Sequence, residues 1–384
     1  MKAIVNGRIV LPDRLVTRQA LLFDKQIVGL ADEAELGGAE RIDAGGMYVL
    51  PGLIDMHIHG YLGEDSSDGG QDGVRKMARG LVENGVTSWL PTTMTVPMPQ
   101  IEQVLGMMRR LMKESRRPDA WRGAEILGVN AEGPFLNPAK KGAQAADNIV
   151  PADAAFIERF QDVVRVFTVA PEMPGAPEAI EAVRRNTDVL ISMGHTAATY
   201  DQAMAGISRG VGHVTHLFNA MTPLNHRDPG VVGAALLTDV SVELIADTFH
   251  IHPALFQMVA RLKGKKLILV TDCTRAGGLP EGEYELGGQP IFVSGIECRL
   301  ADGTIAGSVL RLNRAVANVL RHTDLPIWDV VNMASLNPAS VLGVEARKGS
   351  LMAGRDADIA LADDRMEIWK TFVAGQAAFE KEPA

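Results

Sequence analysis

Two histidines two residues apart, His57 and His59, close the apolar run PGLIDMHIHG over 51–60. On a β-strand, side chains two apart share a face. Two imidazoles on one face at the end of a buried strand make half of a metal site, because the neutral ring nitrogen suits Zn, Fe, Ni and related ions. Other apolar runs end in ligand-type residues as well. EILGVNAEG (125–133) carries Glu132, DVLISMGH (188–195) ends in His195, GHVTHL (212–217) presents His216, and KLILVTD (266–272) ends in Asp272. A lone histidine at a strand end is more often a hydrogen-bonded structural residue than a ligand, but six such residues at equivalent ends of different strands form a constellation. His57, His59, Glu132, His195, His216 and Asp272 are therefore the candidate metal ligands.

The elements that must position them can be read from the apolar runs. Eight Val-, Ile- and Leu-rich segments are expected as strands, at 49–56, 86–90, 126–131, 163–170, 189–193, 213–217, 242–246 and 267–271. Helical patterns fall at 73–84, 99–113, 154–162, 176–185, 199–209, 253–263 and 307–321. Short buried strands alternating with helices predict an α/β fold, a (β/α)8 TIM-like barrel, whose chemistry sits at the C-terminal ends of several strands. The two ends of the chain differ in texture. Residues 2–10, 20–30, 357–363 and 367–374 look like short strands, too short to be stable as isolated sheets. They predict one small β-sandwich domain built from 1–50 and 350–384, beside a barrel at 51–349 that carries a Gly-rich β-hairpin insertion at 278–303.

The 384 residues suit a barrel plus a smaller module, and the net charge of −9 offers no global attraction to nucleic acid or to an anionic membrane. The start, MKAIVNGRIVLPDR, is interrupted by Asn6, Gly7 and Arg8 before a leader-like apolar core forms, and no apolar run approaches the ~18 residues of a membrane span. Two cysteines, Cys273 and Cys298, give no disulfide framework. A cytoplasmic enzyme is the expectation.

The order of the His-x-His strand, AEGPFLNPAKKGA, MGHT, HLFNAMTPLNHRDPG, TDCTRAGGLPEGEYELGG and GSLMAGRDADIALAD resembles the N-acetylglucosamine-6-phosphate deacetylase family of the amidohydrolase superfamily, over nearly the whole chain. The resemblance implies hydrolysis of an N-acetyl amide on a phosphorylated amino sugar, in amino-sugar catabolism and cell-wall recycling. It implies metal held by Glu132, His195 and His216. With His57 and His59 retained, it implies one or two divalent ions per subunit, Zn first and Fe, Co or Mn as alternatives, with Glu132 as a bridge. Asp272 becomes the catalytic acid and base. Asn219, Ala220 and Arg227 are implied to hold the sugar phosphate, His250 the sugar, and Arg227 is commonly supplied by the neighbouring subunit of a homodimer.

One departure stands out. Where many members have a histidine after Lys-Gly-Ala, this chain has Gln144, taken as a substrate contact; glutamine donates and accepts hydrogen bonds but carries no titrating proton. The loop is also atypical around Thr274. Both leave the galacto epimer open as substrate. His213 and His322 read as structural, His226 and His252 as residues of a pocket rim, and Cys273 as a small buried hydrophobe. A cyclic amidohydrolase would normally carry a bridging lysine where Glu132 stands, and a non-catalytic scaffold would have lost ligands that this chain retains.

Overall fold

The computed structural model describes residues 1–117 and 120–382; residues 383 and 384 of the expected terminal domain lie outside the described residues. Eight parallel strands form the barrel: β1 (Leu53–Ile58), β2 (Val86–Thr93), β3 (Val129–Glu132), β4 (Val164–Val169), β5 (Leu190–Met193), β6 (His213–Val214), β7 (Ser241–Ile245) and β8 (Leu267–Val270). Each pairs with the next in parallel register. The ring closes just past the end of β8, where Ile58 bridges Cys273, the His59 amide donates to the Cys273 carbonyl at 2.9 Å, and the Asp272 amide donates to the His57 carbonyl at 2.8 Å. Closure is thus made beside the polar strand ends.

A helix follows every strand: α1 (Gln71–Leu81), α2 (Met98–Ser115), α3 (Ala154–Arg159), α4 (Ala176–Asn186), α5 (Tyr200–Arg209), α6 (Gly230–Leu237), α7 (Ala254–Lys263) and α8 (Leu312–His322). Helix α6 has no counterpart among the expected helices. Its sequence, GVVGAALL, is buried from Gly230 to Leu236, so it has no polar face from which a 3.6-residue period could be read. Helix α8 begins at Leu312 rather than 307, because Ser308 instead bridges Cys273 in extended form beside β8.

Three further boundaries differ from the sequence pattern. The run 49–56 is two strands. Tyr48–Pro51 pairs with Ile359–Ala362 in the terminal domain, and β1 starts two residues later, at Leu53. The run 126–131 is likewise split, into Glu125–Ile126 and β3. The insertion at 278–303 forms three antiparallel strands, Gly282–Leu286, Gln289–Ser294 and Glu297–Leu300, because a second turn at 295–296 follows the first at 287–288.

The chain ends form two sheets. One holds Ile27–Asp32, Gln19–Phe23, Lys2–Val5 and Glu40–Asp43; the other joins Arg8–Val10, Leu15–Val16 and Tyr48–Pro51 to the C-terminal strands Ile359–Ala362, Ile368–Val373 and Gln376–Glu380. Ile4, Leu21, Phe23, Ile359 and Phe372 form their common core, with the Phe23 and Phe372 rings edge to face at 5.3 Å.

Where this domain meets the barrel, Lys348 is buried and its Nζ lies 2.7 Å from Glu125, 2.7 Å from Asp358 and 3.0 Å from Asp356. Burial alone would raise the Glu125 pKa, but Lys348 and Arg347 pull it down to about 2. Removing one partner of a buried ionic cluster leaves the rest uncompensated. Lys348→Met should therefore lower unfolding free energy by about 3–5 kcal/mol, measured by urea denaturation; a change near zero would show that the cluster does not hold the two parts together.

Candidate active site

The six candidate ligands meet at the C-terminal mouth of the barrel. His57 lies on β1 with His59 just beyond it, and Glu132 ends β3. His195, His216 and Asp272 each sit two residues past the end of their strand, with φ of 47°, 30° and 50°. A left-handed backbone is costly for non-glycine residues and persists where the surrounding fold enforces it. Here it turns each side chain inward. His216 is therefore a residue of a strained turn, not of the strand expected at 213–217. The chain before His195 packs this closely only because Gly194 has no side chain, since a Cβ there would lie 2.8 Å from the Thr215 side chain.

Glu132 is the centre. Its Oε1 is 3.0 Å from His216 Nε2, 3.2 Å from His195 Nε2 and 3.3 Å from His57 Nε2. Its Oε2 is 3.1 Å from His59 Nε2. Asp272 Oδ1 completes the ring at 3.2 Å from His59 Nε2 and 3.4 Å from His57 Nε2. All six residues are buried. His57, His59 and Glu132 form one group with metal-holding spacing, and Glu132, His195 and His216 form another.

The donor set fits a metal ion. His57 Nδ1 donates to Glu243 Oε2 at 2.8 Å, and His195 Nδ1 donates to the Lys140 carbonyl at 3.0 Å. A ring whose Nδ1 carries the proton presents a bare lone pair at Nε2. His195 and His216 bring their Nε2 atoms to 3.1 Å of each other, a contact that a shared cation relieves. The field points the same way. Burial opposes charge on His57, yet Glu243, Glu132 and Asp272 raise its proton affinity well above that of ordinary imidazole. Against the same burial, Asp272 and Glu132 raise His59 to about 9. Burial likewise disfavours ionised Glu132, but His57 and His195 hold it well below the usual carboxylate range.

The cluster floors a cavity of about 400 Å³ lined also by Lys140, Gln144, Asn219, Ala220, His250 and Leu286. His250 is oriented by Asp247, whose Oδ2 accepts from its Nδ1 at 2.6 Å. Asn219 Nδ2 donates to the carbonyls of His216 and Leu217, fixing the turn that carries His216. Gln144 touches Glu132 directly, with Nε2 donating to Oε2 at 2.7 Å. Arg227 does not line the cavity. It is exposed on the loop 222–229, along with His226 and Leu224. His252 is exposed, His322 packs edge-on to the Phe256 ring, and Cys273 is fully buried.

Residues 48–378 match the Amidohydrolase family. The chain belongs to the amidohydrolase family. It is 39% identical over 337 residues to N-acetylglucosamine-6-phosphate deacetylase of Bacillus subtilis (strain 168), covering 86% of this chain and 84% of that one. It is 34% identical to N-acetylgalactosamine-6-phosphate deacetylase of Escherichia coli O157:H7, with 95% and 97% covered. Among solved structures, an N-acetyl-D-glucosamine-6-phosphate deacetylase of Mycobacterium smegmatis, in complex with N-acetyl-D-glucosamine-6-phosphate, superposes with a TM-score of 0.89 at 29% identity, over 98% of this chain and 99% of that one.

The amidohydrolase site contains supporting residues that the motifs do not reveal. Glu243 on β7 is fully buried; besides His57, its Oε2 accepts from the His216 amide at 3.0 Å, and its Oε1 lies 3.2 Å from His213 Nε2. One carboxylate thus supports a residue in each group: it fixes the His57 ring's tautomer and direction through Nδ1 and holds the backbone of the turn that carries His216. Asp55, two residues before His57, accepts from Thr271 Oγ1 at 2.7 Å and ties β1 to the end of β8. A carboxylate inside a mostly apolar strand, as in SVELI and LIDMHI, was the available signal.

The raised proton affinities set a sign for metal binding. In the metal-free protein His59 stays protonated below about pH 9, so an ion must displace its proton and apparent affinity falls as pH falls. Calorimetric Zn2+ titration at pH 8 in two buffers of different ionisation enthalpy should show net proton release. Identical heats in both buffers would contradict this account of the cluster.

Proposed function

We propose that this amidohydrolase removes the acetyl group of N-acetylglucosamine 6-phosphate, giving glucosamine 6-phosphate and acetate. The observation that carries the reading is the pair of metal-holding groups sharing Glu132 at the floor of a cavity of about 400 Å³, large enough for one phosphorylated sugar. The named activities of relatives that match across most of the chain support it.

His57, His59 and Glu132 would hold one divalent ion and Glu132, His195 and His216 another, Zn first among those that suit nitrogen and oxygen ligands. Bound there, such ions lower the pKa of water and polarise an acyl carbonyl. The protein's own groups then move the proton and fix the sugar. Asp272, hydrogen-bonded by His59 and held below its usual range against burial by the His57 and His59 rings, is ionised at neutral pH. Its carboxylate accepts the proton of the attacking water and returns it to the sugar nitrogen, which leaves poorly as an unprotonated amine. His250, with Nδ1 committed to Asp247, presents Nε2 to a sugar hydroxyl.

Among the described residues that line the cavity there is no arginine to pair the phosphate. In this reading Arg227 of a second copy supplies it in a homodimer, and Leu224, 47% exposed on the same loop, is covered by that contact. Arginine's planar fork suits phosphate oxygens. Two buried unpaired cysteines suit a reducing compartment, in keeping with a cytoplasmic setting.

Acetate release from N-acetylglucosamine 6-phosphate, its galacto epimer and unphosphorylated N-acetylglucosamine tests the reading. The phosphorylated gluco sugar should give the highest kcat/KM, and Asp272→Asn should lower it by about 10²–10⁴. Release from none of the three by metal-loaded protein would overturn it. Arg227→Ala should raise KM for the phosphorylated sugar while leaving kcat/KM for the unphosphorylated one within about threefold; equal loss on both would remove the phosphate role.

A further inference from the structure

Gln144 stands where the resemblance leads one to expect a substrate contact, yet both ends of its amide are engaged by the protein. Oε1 accepts from the Thr95 amide at 2.7 Å, and Nε2 donates to Glu132 Oε2 at 2.7 Å. The side chain is buried. Its orientation is determined, because a flipped amide would place its carbonyl against a carboxylate and its NH2 against an N–H. Thr95 is itself fixed from both sides: Asn148, four residues after Gln144, donates to its carbonyl at 3.2 Å. The segment bearing Gln144 is anchored in turn, with the Gln144 amide donating to the Lys141 carbonyl and Gln289 Nε2 donating to the Ala143 carbonyl at 2.7 Å.

The two oxygens of Glu132 are therefore unlike. Oε1 faces His57, His195 and His216 and has no further donor among the described residues. Oε2 faces His59 at 3.1 Å and already carries the Gln144 hydrogen bond. A carboxylate oxygen has two lone-pair directions, so this bond occupies one and leaves the other for an ion beside His59. An amide neither gains nor loses a proton over the working pH range, so the donor is permanent, unlike an imidazole at the same place.

We propose that Gln144 is a positioning residue for the bridging carboxylate, holding Glu132 Oε2 toward His59 and so setting the affinity of the His57–His59 subsite separately from that of the His195–His216 subsite. The second hydrogen of its Nε2 remains for the cavity. The inference rests on the divalent-ion reading of the cluster and is independent of which sugar is the substrate.

The test is calorimetric Zn2+ titration of the metal-stripped full chain, with His59→Ala and His195→Ala identifying the two binding steps by removing one each. Gln144→Met keeps the length and removes the polar end; Gln144→Asn keeps an amide that is one methylene too short to span both partners. Both should weaken the His57–His59 step by about 10–100-fold, the usual effect of losing an outer-shell partner, and leave the other step within about threefold. Far-UV circular dichroism of the stripped proteins confirms that each variant is folded, and the Asn variant carries the test if the Met variant is not. Equal weakening of both steps, or of neither, would overturn the proposal. Absence of Zn2+ binding by the unaltered chain would instead overturn the metal reading beneath it.

Discussion

A single carboxylate surrounded by four imidazole nitrogens is the constraint on which this structure depends. Glu132 has contacts of 3.0 to 3.3 Å to His57, His59, His195 and His216, all of them buried. Such a group of lone pairs and negative charge is unfavourable in a low-dielectric interior unless cations or protons neutralise it. The fold supplies the neighbours that make the arrangement persist: Glu243 and the Lys140 carbonyl fix two rings, Gln144 fixes the carboxylate, and Asp55 ties the first strand to the end of the last.

The barrel is what brings these groups together from separate parts of the chain. Parallel strands all present their C-terminal ends to one face, and three of the six candidate residues leave their strands through left-handed turns, at His195, His216 and Asp272. Strain at a functional site is retained when the surrounding structure enforces it. Here the enforcement is visible in the ring closure, where the amides of His59 and Asp272 bond across the seam between β1 and β8. The residues that close the barrel are the residues that build the site.

Much of this was legible in the sequence because it follows from periodicity and residue type. Alternation placed His57 and His59 on one face, and short apolar runs ending in His, Glu or Asp marked the barrel strands. What was not legible depends on partners distant in sequence. Glu243 and Asp247 look like ordinary acidic residues until their histidines are seen beside them. Helix α6 has no polar face, so burial on all sides removed the pattern that identifies a helix. The run 49–56 hid a domain crossing, since consecutive strands of two different sheets share the same apolar character. Gln144 stands out in the sequence, but its commitment to Glu132 and Thr95 depends on how the 142–149 segment folds.

The most direct measurement is the anomalous-scattering crystal structure of the Zn-loaded protein. The account predicts two metal peaks, one in contact with Glu132, His195 and His216, the other with Glu132, His57 and His59. Metal bound without Glu132 as a ligand, or zinc absent from this cluster, would contradict it.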